Sequence, residues 1–75
     1  MTRGLPVLQS KEIIKALERG GFILKRQTGS HAILYKPGLL RPVSVPVHTF
    51  DMPAGTLRAI IRQANLTVDE FLDLL

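Results

Sequence analysis

The 75-residue chain has room for one domain, 1–75, and a domain this small buries too little surface to enclose a deep active site, so a ligand is expected on an open face. Its net charge of +4 is uneven: residues 1–50 carry eight Lys/Arg against two acids, and residues 51–75 carry two against four. Such a basic body favours a polyanion, nucleic acid before membrane, with solubility alone as the bland alternative, and the absence of cysteine excludes disulfides and thiolate metal sites and suits the cytosol.

Residues 1–9, with Gly4 and Pro6, read as an extended lead-in whose Val7 and Leu8 pack on the rest of the domain. They contain no long apolar run, and Lys11 and Glu12 come soon after, so neither a signal peptide nor a membrane span is expected and the compartment is expected to be cytoplasmic. Ser10 is the expected N-cap of a first helix. Ile13, Ile14, Ala16 and Leu17 form its apolar stripe, while Lys11, Lys15 and Arg19 recur every four residues on another side. Gly20-Gly21 ends this helix through a left-handed cap.

Phe22–Gln27 is short and rich in strand formers, and Thr28-Gly29-Ser30 folds it back onto a second strand, His31–Lys36, as a β-hairpin. Lys36-Pro37-Gly38 suits a type II turn. A third strand, Pro42–His48, alternates, with Val43, Val45 and Val47 on one face and Ser44, Pro46 and His48 on the other. Pro46 cannot donate to a ladder, which places this strand at a sheet edge. In the second strand the period leaves open which face is inward.

Pro53 is expected at the first position of a second helix, where Leu57, Ile60, Ile61 and Ala64 make a core-facing stripe and Asn65 a C-cap; Arg58 and Arg62 lie on a different face. Thr67-Val68-Asp69-Glu70 is a capping box for a last short helix, with Val68, Phe71, Leu72 and Leu75 as its stripe. The fold class is therefore α+β: a three-stranded antiparallel sheet with helices on one face, order α-β-β-β-α plus a short C-terminal helix, the order also found in double-stranded-RNA-binding domains.

Arg26-Gln27-Thr28-Gly29-Ser30-His31 alone combines a group that titrates near neutral pH, a tight turn and positive charge. A neutral imidazole within reach of an RNA 2′-hydroxyl can take its proton as it attacks the adjacent phosphate, without a metal. Ser30 and the Gly29 amide could bond a phosphate oxygen, and Lys25 or Arg26 could offset developing charge. Taken alone, Gly-Ser-His is a weak signal, and a half-exposed strand histidine beside an idle turn is the commoner case. His48 could share acid and base roles, but reads first as a structural residue bonded to the backbone. Lys11, Lys15, Arg19, Arg58 and Arg62 are candidate phosphate contacts, or simply solvated charge. No His and carboxylate cluster has metal-ligand spacing, no glycine-rich loop opens a helix after a strand, and Tyr35 and Phe50 are too few for a base-stacking platform of the RRM kind.

The run from Ser10 through Gly20-Gly21-Phe22, then Arg26-Gln27-x-Gly29-Ser30-His31, then Val45-Pro46-x-His48, then Gly55-Thr56-Leu57-Arg58-x-Ile60-x-Arg62-Gln63-Ala64, closely resembles the HicA toxins, also called YcfA-like mRNA interferases. The likeness spans nearly the whole chain. It implies a double-stranded-RNA-binding-like fold, cleavage of mRNA by the histidine of Gly-Ser-His, which is His31, no cofactor, and inhibition by a HicB-type antitoxin. For His48 it implies less. The expected function is thus a cytosolic, metal-independent endoribonuclease toxin; the alternatives are an RNA- or protein-binding module that cuts nothing and a purely structural subunit.

Overall fold

The computed structural model describes residues 4–75; Arg3 and the first part of the lead-in lie outside the described residues. The chain forms six elements: α1 (Ser10–Arg19), β1 (Ile23–Gln27), β2 (His31–Tyr35), β3 (Val43–Pro46), α2 (Ala54–Gln63) and α3 (Val68–Leu72). The strands form one antiparallel sheet in the order β1-β2-β3, which puts Pro46 on an edge strand. The fold is α+β in the expected order.

Burial resolves the question the β2 period left open. Ala32 pairs with Val45 and Leu34 with Val43, and all four are fully buried. This is the inner face. His31, Ile33 and Tyr35, with Ser44 and Pro46 beside them, alternate onto the other. Both α1 and α2 pack against β3. Ile13 and Leu17 from α1, Leu57 and Ile60 from α2 and Phe71 from α3 are all at or below 1 % exposure and complete the core.

β1 stands apart, since all five of its residues are exposed. Its pairing with β2 shifts register between Leu24 and Arg26, so Lys25 is the extra residue of a bulge, a feature the sequence pattern does not announce. The shift puts Arg26 opposite Ile33, on the sheet's open face, and Gln27 opposite Ala32, on the helix side.

Both long helices end in a Schellman motif. In α1 the Gly21 and Phe22 N–H groups donate to the Glu18 and Leu17 carbonyls, with Gly21 at φ +97°; in α2 Asn65, at φ +59°, and Leu66 donate to Arg62 and Ile61. Asn65 is thus one residue beyond the C-cap, which is Ala64, and Pro53 is the N-cap of α2 rather than its first residue. The last helix starts as expected, Thr67 Oγ1 accepting from the Glu70 N–H and the Glu70 carboxylate from the Thr67 N–H.

Further expectations are corrected. Ser10 does not cap α1; Gln9 does, its N–H held by the Glu12 carboxylate at 2.9 Å. Ser10 is instead buried in the first turn, its hydroxyl donating to the Pro46 carbonyl at 2.7 Å and accepting from the His48 N–H at 3.2 Å. Losing it would orphan two backbone groups, at about 1–3 kcal/mol. That bond also ends β3 early: the Val47 N–H still reaches the Ser30 carbonyl at 2.8 Å, but His48 turns to α1. Finally, Leu75 is exposed and Leu74 packs on the core, because α3 stops at Leu72 and helical spacing no longer governs the end. Val7 likewise points out while Leu8 is buried.

Candidate functional site

The β1–β2 turn is built around Thr28, a residue to which the sequence pattern assigns no role beyond the turn itself. Thr28 Oγ1 accepts from the Ser30 N–H at 3.3 Å and the His31 N–H at 3.0 Å, while the Thr28 N–H donates to the His31 carbonyl at 2.8 Å. A threonine hydroxyl bonding backbone two and three residues ahead is a recurrent turn device, so the signal is present in Thr-Gly-Ser-His. It pins the His31 backbone on both sides.

The His31 side chain is exposed, and its Nδ1 lies 3.2 Å from Ser30 Oγ. With that nitrogen engaged, Nε2 is the atom left to meet a ligand. Gly29 is required neither by its backbone, which is outside the left-handed region, nor by packing, since an added Cβ would meet nothing within 4 Å. The space above the turn is open. Arg26, opposite the next residue on the open face, Ile33, brings a cation to the His31 side of the sheet, and Lys25 sits in the bulge just before it.

The remaining candidates divide by location. Lys11, Lys15 and His48 line a groove of about 460 Å³ between α1 and the end of the sheet, with Gln27, Val47 and Glu18 among its other walls. His48 is half-buried there; its N–H is held by Ser10, its Nδ1 lies 2.8 Å from the Phe50 carbonyl, and its ring stacks on that of Phe50 at 3.7 Å and 6°. Arg19 donates to the Leu74 carbonyl at 3.0 Å, a tether to the C-terminal end, and lines a different groove with Pro6 and Leu75. Arg58 and Arg62 flank a third, beside Thr67 and Val68. Lys15 lines both of the first two grooves, so the basic helix stripe runs from one to the other, with Lys11 on the first and Arg19 on the second.

Strand pairing brings the hairpin turn and the first groove to the same end of the sheet. His31 pairs with Pro46, two residues before His48, and Gln27, a wall of the groove, immediately precedes Thr28. Among the described residues, no group of three or more His, Cys, Asp or Glu side chains is placed to hold a metal ion, and no helix is long and apolar enough to cross a membrane.

This arrangement can take up a proton at an exposed imidazole and offer cations and hydrogen bonds to an anion beside it. A family model described as HicA toxin of bacterial toxin-antitoxin matches residues 10–66, from the first turn of α1 to just beyond α2. No curated protein matches the chain significantly.

Proposed function

Because this chain belongs to the HicA family of bacterial toxin–antitoxin toxins, we propose that it is an endoribonuclease that cleaves mRNA at the hairpin turn, with His31 as its catalytic acid and base. The observation that carries the reading is the exposed His31 ring, with Nδ1 at Ser30 Oγ and open space around the adjacent Gly29. In the reaction, Nε2 accepts the proton of the 2′-hydroxyl, the 2′-oxygen bonds to phosphorus, and the bond from phosphorus to the 5′-oxygen breaks. That oxygen leaves with a proton from imidazolium or water. Ser30 and the Gly29 amide bond a phosphoryl oxygen, and Arg26, with Lys25, offsets the charge that builds there. Lys11 and Lys15 hold the strand to one side of the cut. The products are a 2′,3′-cyclic phosphate and a 5′-hydroxyl end.

In the cell, a HicB-type antitoxin silences the toxin by covering the open face around His31. An antitoxin bound to the folded chain alone would also add stability by mass action. The test uses a long RNA incubated with the purified protein in excess chelator. Cleavage is expected to persist in chelator, to leave cyclic phosphate ends, and to stop at a site where the 2′-hydroxyl is replaced by hydrogen. Cutting at the deoxy-substituted site would remove the proposed chemistry; RNA bound but left intact would favour a binding module of the same fold.

A further inference from the structure

The proposed cleavage uses His31 and the turn, and gives the groove on the helix side of the sheet no task beyond the strand contacts of Lys11 and Lys15. Two features of that groove are unusual for plain surface. The first lies at its edge: Phe50 follows the lining Thr49, is itself outside the lining, is 62 % exposed and stacks on the lining His48. His48 stacks against one side of it at 3.7 Å, and His48 is itself fixed by its Nδ1 contact to the Phe50 carbonyl at 2.8 Å and its N–H bond to the buried Ser10 hydroxyl. At 62 % exposure, Phe50 leaves surface beyond the His48 contact to solvent. A rigid, exposed aromatic face accepts a second flat ring without further loss of side-chain freedom. The second feature is charge: Lys11 and Lys15, one turn apart on α1, line the groove into which His48 projects. Its single acid among the lining residues, Glu18, is a turn further along the helix. At about 460 Å³ the groove falls in the range of small-ligand sites.

We infer that this groove is a subsite for one nucleotide of single-stranded RNA, the base stacked on the exposed surface of Phe50 and its phosphate lying against Lys11 and Lys15. The inference rests on the reading of the protein as RNA-directed and adds to it where the strand runs next to the cut. Continuity supports the placement: Val47, which lines the groove, donates to the Ser30 carbonyl, and Gln27, also a lining residue, leads into the turn. Pro46, the partner of His31, is two residues from His48, so a strand with its scissile phosphate at His31 reaches the groove by passing round the end of the sheet from the open face to the helix side. Stacking on a phenyl face is tolerant of base identity, so the subsite favours unpaired RNA over duplex without reading sequence.

The experiment measures binding apart from cleavage. Fluorescently labelled single-stranded oligomers carrying 2′-O-methyl sugars, which cannot form the 2′-oxyanion, are titrated against the parent, Phe50→Ala, Phe50→Tyr and the double variant Lys11→Gln/Lys15→Gln. A matched abasic oligomer serves as the strand without bases. Circular dichroism and a melting curve verify that each variant is folded. Phe50→Ala is expected to weaken binding of the base-bearing strand by roughly 5- to 150-fold, to leave the abasic strand unaffected, and to be rescued by Phe50→Tyr. The lysine double variant is expected to weaken both strands and to flatten the salt dependence. Unchanged affinity in folded Phe50→Ala, an equal loss on both strands, or failure of the parent to prefer the base-bearing strand would each overturn the subsite. A parent that shows the preference but does not cut unmodified RNA leaves the subsite standing and counts against the ribonuclease reading alone.

Discussion

What a histidine can do depends on which nitrogen is free and how firmly its backbone is held. For His31 both conditions come from hydroxyl groups just ahead of it: Ser30 Oγ meets Nδ1, and Thr28 Oγ1 takes the main-chain N–H. Gly29 adds room rather than conformational freedom. Gly29→Ala is therefore expected to leave thermal stability within about 1 kcal/mol of the parent, while lowering the RNA cleavage rate on the order of tenfold or more by placing a methyl group where the phosphate approaches. Melting curves and initial rates on the same samples check this; lost stability with an unchanged rate would mean the glycine serves the fold. The contiguous triplet was legible because its members are neighbours in sequence. The His48–Phe50 stack was not, since it depends on where the chain bends after β3, and that bend is set by Ser10, some forty positions earlier.

Elements were legible where their signals are local. The Thr67 and Glu70 box, the left-handed Gly21 and the Pro37-Gly38 turn, with Gly38 at φ +95°, all come from residues within one turn of each other. Ser10 misled because serine is a favoured N-cap, yet Glu12 served Gln9 equally well and released the serine hydroxyl to bond β3. The bulge at Lys25 left no mark in the sequence because both faces of β1 are exposed and no apolar alternation fixes its register. The cap of α3 has an energetic consequence. Thr67→Ala removes the acceptor for the Glu70 N–H from the helix that seats the fully buried Phe71. It is expected to cost about 1 kcal/mol and to lower the melting temperature by about 4–8 °C, with little change in RNA binding. A melting temperature equal to the parent's would show that packing of Phe71 alone holds α3.

At the scale of the molecule, the fold leaves two candidate surfaces at one end of the sheet. A domain of this size commands about 4–11 kcal/mol of stability in total, and truncating a buried phenylalanine such as Phe71 costs about 3–5 kcal/mol, so most of the chain is committed to the core. What remains for function is the hairpin turn on the open face and the α1 groove beside it. The overall charge was legible as a polyanion signal, but the placing of its cations was not, because helical spacing cannot tell that Arg19 ties down Leu74, that Lys11 faces a different groove and that Lys15 lines both. Family membership supplies the toxin role, and the central proposal is that His31 performs the chemistry. The measurement that tests it most directly is the rate of RNA cleavage in chelator by the parent and by His31→Ala, both verified as folded and as binding 2′-O-methyl RNA with similar affinity. A loss of about 10²- to 10⁴-fold in the variant, with binding retained, is the predicted result; equal cleavage by the two proteins, or none by either, would contradict it.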